Sequence, residues 1–162
     1  MKISIIGGGY VGLVSSVCFS DLGNSVTCIE NDTEKYNSLT DGAIPFYEPE
    51  LLEKFQKNVD KDRLFIKDAM DATLFESDFI FLAVGTPMAD SGEANLTYLF
   101  QAVDTICALA REYTFSNKII LTTKSTVPVG TGKKITEMIA SNGLSNFISV
   151  ASSPEFLREG SA

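Results

Sequence analysis

The sequence predicts a doubly wound α/β domain with a parallel, six-stranded sheet in the strand order 3-2-1-4-5-6. Short apolar runs alternate along the chain with longer amphipathic runs, as strands and helices do in such folds. The run at residues 79–84 is continuously apolar, which is typical of a strand buried on both faces. A glycine-rich segment at residues 7–12 follows the first apolar run and opens the first amphipathic one.

The individual elements follow from these patterns and from helix caps and glycine stops. The predicted strands cover residues 2–6, 25–30, 64–67, 79–84, 118–123 and 147–151. The predicted helices cover residues 10–22, 32–39 with Asp32 as N-cap, 50–57, 69–75, 97–112 and 129–141, the last opened by Pro128. Loops are expected at residues 42–49 and 85–96. This is the chain order of a complete Rossmann domain over residues 1–162.

Composition excludes several classes of protein. A net charge of −8 argues against a nucleic-acid-binding surface. No apolar run approaches the roughly 18–20 residues of a membrane span, and the first run is too short for a signal peptide, so a cytoplasmic protein without membrane contact is expected. The chain has no His and three widely spaced cysteines, Cys18, Cys28 and Cys107, which predicts free thiols and no metal site.

The glycine-rich segment matches the pattern G-x-G-x-x-G and consists of Gly7, Gly8, Gly9, Tyr10, Val11 and Gly12. Between a strand and a helix, this pattern is typical of a dinucleotide-binding loop. The first glycine permits the tight turn, the second lets a pyrophosphate approach the backbone, and the third lets the helix pack against the strand. The alternative is a tight turn that binds nothing.

An acidic residue follows the glycines at the spacing used to bind the adenosine ribose, about 20 residues further on. Glu30 ends the second predicted strand there. A carboxylate accepts from the ribose hydroxyls and repels a 2′-phosphate, which favours NAD over NADP as cofactor. The alternative for Glu30 is a solvated strand-end carboxylate. Lys35 lies either near the ribose or on an exposed helix face.

Four further motifs occur in a definite order along the chain. They are IPFYEP at residues 44–49, VGTP at 84–87, KSTVPVGT at 124–131 and SPEFLREG at 153–160. Together with the G-Y-V-G form of the glycine loop, they resemble the nucleotide-sugar dehydrogenases over residues 1–162. One departure is Glu50, which follows YEP where the family pattern has glycine.

The resemblance implies an oxidation of a sugar C6 alcohol to a carboxylate with two NAD. In the family a cysteine of a later domain traps the aldehyde as a thiohemiacetal, which becomes a thioester and is hydrolysed. By the same resemblance, Thr126 helps to position the catalytic water, Glu155 is the acid-base residue, and Glu159 lies close to cofactor and substrate.

The resemblance also implies binding residues. Those expected along the dinucleotide are Val84, Gly85, Thr86 and Pro87, with Ser125 and Thr126 nearer the nicotinamide and Glu159 also close to the cofactor. Those expected on the substrate side are Glu155, Phe156, Leu157, Arg158 and Glu159. Simpler alternatives stand beside these roles. Glu155 and Glu159 have the spacing of acids on one face of a first helical turn, and Ser125-Thr126 before Pro128 has the pattern of an N-cap.

The chain ends just after a predicted strand, so we expect a fragment of a longer protein whose central helical and C-terminal nucleotide-binding domains it lacks. None of its own cysteines lies at the carboxyl end of a predicted strand, where the site is expected. We therefore expect NAD binding without turnover. The motifs favour UDP-glucose as substrate over GDP-mannose or UDP-N-acetylmannosamine, and the family implies a homodimer or larger oligomer. A non-catalytic dinucleotide-sensing module is the alternative from another class.

Overall fold

The structure, a computed structural model, describes residues 1–90, 92–154 and 156–160. Its strands are Lys2–Ile6 (β1), Ser25–Ile29 (β2), Leu64–Lys67 (β3), Phe79–Leu82 (β4), Ile119–Thr123 (β5) and Ile148–Ser152 (β6). Its α-helices are Tyr10–Asp21 (α1), Thr33–Thr40 (α2), Leu51–Asp60 (α3), Thr97–Glu112 (α4) and Thr131–Ser141 (α5). A short 3₁₀ helix covers Ala72–Glu76.

All six strands are parallel and lie in the order β3-β2-β1-β4-β5-β6, which confirms the predicted sheet. β1 is central, with Ile5 opposite Cys28 of β2 on one side and Phe81 of β4 on the other. The chain adds β2 and β3 on one side of β1 and then β4, β5 and β6 on the other side, so the strand order reverses between β1 and β4. Doubly wound sheets bind ligands at the carboxyl ends of the strands beside such a reversal.

Two apolar cores cover the two faces of the sheet. One core holds the buried faces of α1 and α3, with Leu13, Val17 and Phe55 among its fully covered side chains. The other holds the buried faces of α4 and α5, including Leu99 and Ile135. No helix among the described residues is long and apolar enough to cross a membrane.

The fourth strand ends earlier than its apolar run predicts. The Ala83 N–H still donates to the Ile6 carbonyl, but the carbonyl of Val84 accepts from the Ser125 hydroxyl at 2.7 Å instead of from a neighbouring strand. The strand therefore stops at Leu82, and Val84 belongs to the loop. A side-chain hydrogen bond from another loop determines this boundary, and hydropathy does not reveal it.

The start of α5 and the helix after β3 also differ from prediction. Gly130 has a left-handed backbone, with φ +94°, and is the N-cap, so α5 starts at Thr131 instead of at Val129. Ser125 and Thr126 thus do not cap this helix, and the capping alternative for them is wrong. The short helix expected over residues 69–75 starts later, because the Asp71 carboxylate caps it by accepting from the Thr73 N–H.

The entry to α3 contains a backbone conformation that favours glycine. Glu50, the N-cap of this helix, has φ +61° and ψ −8°. A side chain in this left-handed region costs roughly 1–2 kcal/mol. The Glu50 side chain makes an exposed ion pair with Lys54 at 2.8 Å, and such pairs recover well under 1 kcal/mol.

We therefore expect Glu50→Gly to leave the chain as stable as the wild type or to stabilise it by up to about 1 kcal/mol, because relief of the left-handed conformation outweighs the greater entropy of the unfolded chain. Glu53→Gly is the matched control: Glu53 lies inside the same helix, where glycine costs roughly 1 kcal/mol. Urea unfolding of both variants measures the difference. Equal destabilisation by both would contradict the strain assigned to Glu50.

Candidate functional site

The loop between β1 and α1 is packed so tightly that side chains are excluded from two of its glycines. A Cβ on Gly12 would lie 1.8 Å from the Gly7 carbonyl oxygen. A Cβ on Gly7, which has φ +104°, would lie 2.7 Å from the Ala83 carbonyl oxygen. The start of α1 is thereby held against the carboxyl ends of β1 and β4, at the point where the strand order reverses.

The middle of the same loop is open. A Cβ on Gly9 would meet no atom within 4 Å, so packing does not require a glycine at this position. Gly9 is the N-cap of α1, and no side chain in the described part of the chain caps this helix. Uncapped backbone N–H groups and the positive end of the helix dipole suit an anion such as a pyrophosphate. The residues present therefore fit the diphosphate of a dinucleotide.

Glu30 is buried beside this loop, with 6% of its surface exposed, so the solvated alternative for it is wrong. Its carboxylate accepts from the Gly8 N–H and from the Asp32 N–H, both at 2.9 Å. A Cβ on Gly8 would lie 2.9 Å from the Glu30 Cβ, so Gly8 is needed for the close approach of this side chain. Two backbone donors thus fix the carboxylate just beyond the end of β2.

Lys35 lies in the first turn of α2, where its backbone N–H donates to the Asp32 carboxylate at 3.0 Å. Its side chain is exposed, and the turn that contains it directly follows Glu30. Both readings of Lys35, near a ribose or on an exposed helix face, fit this position.

The loops after β4 and β5 are joined to each other. Besides the bond from Ser125 to Val84, the Thr86 hydroxyl donates to the Thr126 carbonyl at 3.4 Å. Thr126, Gly85 and Pro87 are exposed beside them. The structure thus joins the loop at residues 84–87 to Ser125 and Thr126, which the resemblance assigns to the dinucleotide and its nicotinamide end.

The segment after β6 is irregular where it is described. Glu155 lies outside the described residues, and residues 156–158 have no regular structure. Glu159 lies in a turn, so the alternative that it is an acid in the first turn of a helix is wrong. Phe156, Arg158 and Glu159 are exposed, whereas Leu157 packs against the core that contains α1.

The cysteines are poor nucleophiles. Burial raises the pKa of the Cys28 thiol to about 11, so that almost none of it is thiolate at neutral pH. Burial also raises the pKa of Cys18 and of Cys107. Within the described residues, no group of three or more His, Cys, Asp or Glu side chains is placed to hold a metal ion.

Sequence reasoning missed two residues of this region. Ala83 provides the small side chain and the backbone against which Gly7 and Gly12 pack. Glu48 is a buried carboxylate, 8% exposed, that contacts both the start of α1 and the segment after β6. The sequence offers a weak signal for Glu48, an acid within a loop of apolar and aromatic residues.

The fold and the loop together define a dinucleotide-binding domain. The model of the UDP-glucose/GDP-mannose dehydrogenase family, NAD binding domain, matches residues 1–162, and the chain belongs to this family. NAD is accordingly its cofactor.

Named relatives agree with this assignment. The chain is 48% identical to the UDP-glucose 6-dehydrogenase TuaD of Bacillus subtilis, over 99% of this chain and 34% of the relative. It is 43% identical to a UDP-glucose 6-dehydrogenase of Rhizobium meliloti, over 100% of this chain and 36% of the relative. The chain therefore spans only about a third of the length of these curated relatives.

Solved structures resemble this chain closely. A UDP-glucose dehydrogenase from Pyrobaculum islandicum matches 99% of this chain with a TM-score of 0.89 and 34% identity. A GDP-mannose dehydrogenase from Pseudomonas aeruginosa matches 99% with a TM-score of 0.90 and 30% identity. This chain covers 37% of each of those chains.

The contrast between Gly9 and Gly12 generates a prediction. Gly9→Ala should keep the free energy of unfolding within about 0.5 kcal/mol of the wild type but weaken NAD binding about tenfold or more, because its methyl group enters the space for the pyrophosphate. Gly12→Ala should instead cost about 1–3 kcal/mol of stability, because its methyl group overlaps backbone. Urea unfolding and calorimetric NAD titration separate the two effects. Unchanged NAD affinity in Gly9→Ala would exclude the pyrophosphate from this position.

Proposed function

We propose that this chain is the NAD-binding part of a UDP-glucose 6-dehydrogenase, which oxidises UDP-glucose to UDP-glucuronate with two NAD. The names of the relatives support this substrate, as do the motifs at residues 44–49, 84–87, 124–131 and 153–160. Because the chain spans about a third of those relatives, the activity belongs to the longer protein.

One observation carries the cofactor part of this proposal. The carboxylate of Glu30 is held by two backbone N–H groups directly beside the open space at Gly9. Fixed in this way, it can accept from the ribose hydroxyls while the start of α1 binds the pyrophosphate. A buried, ordered carboxylate repels a 2′-phosphate, which favours NAD over NADP.

The remaining site residues divide between cofactor and substrate. Val84, Gly85, Thr86 and Pro87 would lie along the dinucleotide, with Ser125 holding the loop of Val84 in place. Tyr10 and Val11 begin the helix that faces the pyrophosphate, and Lys35 would approach the ribose. Bound NAD supplies the hydride acceptor at the edge of the sheet.

The proton-handling residues would come from the ends of β5 and β6. Thr126 would orient a water molecule, Glu155 would move protons as acid and base, and Glu159 would lie between cofactor and substrate. Phe156, Leu157 and Arg158 belong to the same segment and would line the substrate side. The covalent nucleophile would come from a later domain, so the present chain binds NAD without turning over substrate.

The longer protein would be a cytoplasmic homodimer or larger oligomer that has no nucleic-acid or membrane partner. A second candidate is a GDP-mannose dehydrogenase, because a structure of that enzyme matches this chain as closely in fold as the UDP-glucose enzyme does.

Calorimetric titration of this chain with NAD and with NADP tests the cofactor proposal. We expect saturable NAD binding with much weaker NADP binding, and a loss of about tenfold or more in NAD affinity for Glu30→Ala, since hydrogen bonds to charged groups contribute about 1.5–3 kcal/mol. Glu34→Ala is the control, because it removes the same charge from an exposed position four residues away. Circular dichroism verifies that each variant is folded.

A folded wild-type chain that does not bind NAD would mean that the later domains complete the cofactor site, or that the glycine loop is only structural. The same titration of the longer protein distinguishes these two cases. Equal losses of affinity in Glu30→Ala and Glu34→Ala would remove the specific role of Glu30.

The substrate is tested in the longer protein by NADH formation. We expect two NADH per UDP-glucose and no reaction with GDP-mannose or UDP-N-acetylmannosamine, since an alcohol oxidised to a carboxylate loses two hydrides. Turnover of GDP-mannose in place of UDP-glucose would transfer the assignment to the second candidate.

A further inference from the structure

The loop between α2 and α3 crosses the start of α1 and alternates sharply in burial. Phe46 packs on the Tyr10 ring with a centroid distance of 5.0 Å and an interplanar angle of 59°. Tyr47 is 84% exposed, whereas the next residue, Glu48, is only 8% exposed. The loop thus turns a carboxylate inward and an aromatic ring outward.

The Glu48 carboxylate connects two distant parts of the chain through one oxygen. Its Oε2 accepts from the Tyr10 hydroxyl at 2.8 Å and from the Gly160 N–H at 2.7 Å. These donors lie 38 and 112 residues from Glu48 in sequence. Hydrogen bonds to a carboxylate are shorter and roughly twice as strong as bonds between neutral groups.

Both donors adjoin residues of the proposed site. Tyr10 directly follows the glycines and is the first residue of α1. Gly160 directly follows Glu159, in the exposed turn that this structure shows after β6. Glu48 therefore bridges the dinucleotide-binding loop and the turn that contains Glu159.

We propose that Glu48 is a positioning residue that holds the Glu159 turn against the start of α1, so that Glu159 keeps a fixed distance from the cofactor. The positioning role rests on the proposed function, whereas the hydrogen bonds do not. Leu157 anchors this segment against the core two residues before Glu159. A fixed acceptor for the N–H that follows Glu159 adds an anchor on the other side and so restricts the backbone of Glu159 itself.

The first test measures the amide of Gly160 by NMR in the 162-residue chain. We expect its hydrogen exchange to accelerate about tenfold or more in Glu48→Ala, because a hydrogen bond to a charged acceptor is lost. Glu48→Gln keeps the side-chain volume and a weaker, neutral acceptor. Its Gly160 exchange rate should therefore lie between those of the wild type and Glu48→Ala. Glu53→Gln, an exposed acid in α3, removes the same charge and should leave the Gly160 amide unchanged.

The second test separates positioning from cofactor binding in the longer protein. Glu48→Gln should lower kcat about tenfold, as expected when a group beside the reacting atoms is displaced, with a smaller change in KM for NAD. A residue that only stabilised the fold would lower the melting temperature and leave kcat per folded molecule unaltered.

The outcomes distinguish the two proposals. A Gly160 amide that exchanges equally in wild type, Glu48→Gln and Glu48→Ala would overturn the bridge. Should Glu48→Ala fail to fold, the near-isosteric Glu48→Gln still decides. Faster exchange of the Gly160 amide in Glu48→Gln, together with an unchanged kcat of the active longer protein, would overturn the positioning role. Absence of NAD binding by the wild-type longer protein would refute the proposed function, while the Gly160 result would stand.

Discussion

The approach of backbone to backbone at the start of α1 is the constraint on which the rest of the site depends. At Gly12 a single methyl group would overlap the Gly7 carbonyl, and at Gly7 it would overlap the Ala83 carbonyl. Because neither neighbour is a flexible side chain, this contact places the helix N-terminus between β1 and β4 with little freedom. The first turn of α1, which no described side chain caps, then lies beside the open space at Gly9, where an anion can bind.

An acidic chain binds an anionic cofactor here by local geometry. The net charge of −8 repels phosphate at long range, so binding depends on backbone N–H groups at short range. In the proposed function, the carboxyl ends of the parallel strands would supply the other contacts, with Glu30 after β2 and Ser125 after β5 each fixed by hydrogen bonds to backbone. The sheet topology thus assembles residues that are distant in sequence.

Local signals explain what could be predicted. The glycine loop and Glu30 follow from spacing within one βαβ unit, and the strand order follows from the alternating elements together with that loop, which are typical of a Rossmann domain. One boundary failed where a distant group intervened, at Val84, whose carbonyl bonds to Ser125, and two failed at local caps, Gly130 and Asp71. Glu48 was not predicted as a site residue, because its hydrogen-bond partners lie 38 and 112 residues away in sequence. The helical-turn alternative for Glu159 rested on its four-residue spacing from Glu155, and spacing alone does not determine whether a segment is helical.

The loop before α3 shows how a strained residue persists in such a fold. Glu50 adopts its left-handed conformation between two anchored neighbours, the buried Glu48 on one side and Leu51, 4% exposed, on the other. Strained backbone survives only where its surroundings determine the path of the chain, and here a hydrogen-bonded carboxylate and a core leucine do so. The path of this loop is therefore fixed by its anchors and not by the residue at position 50. Consequently, the departure from the family's glycine at this position can change stability without moving Glu48.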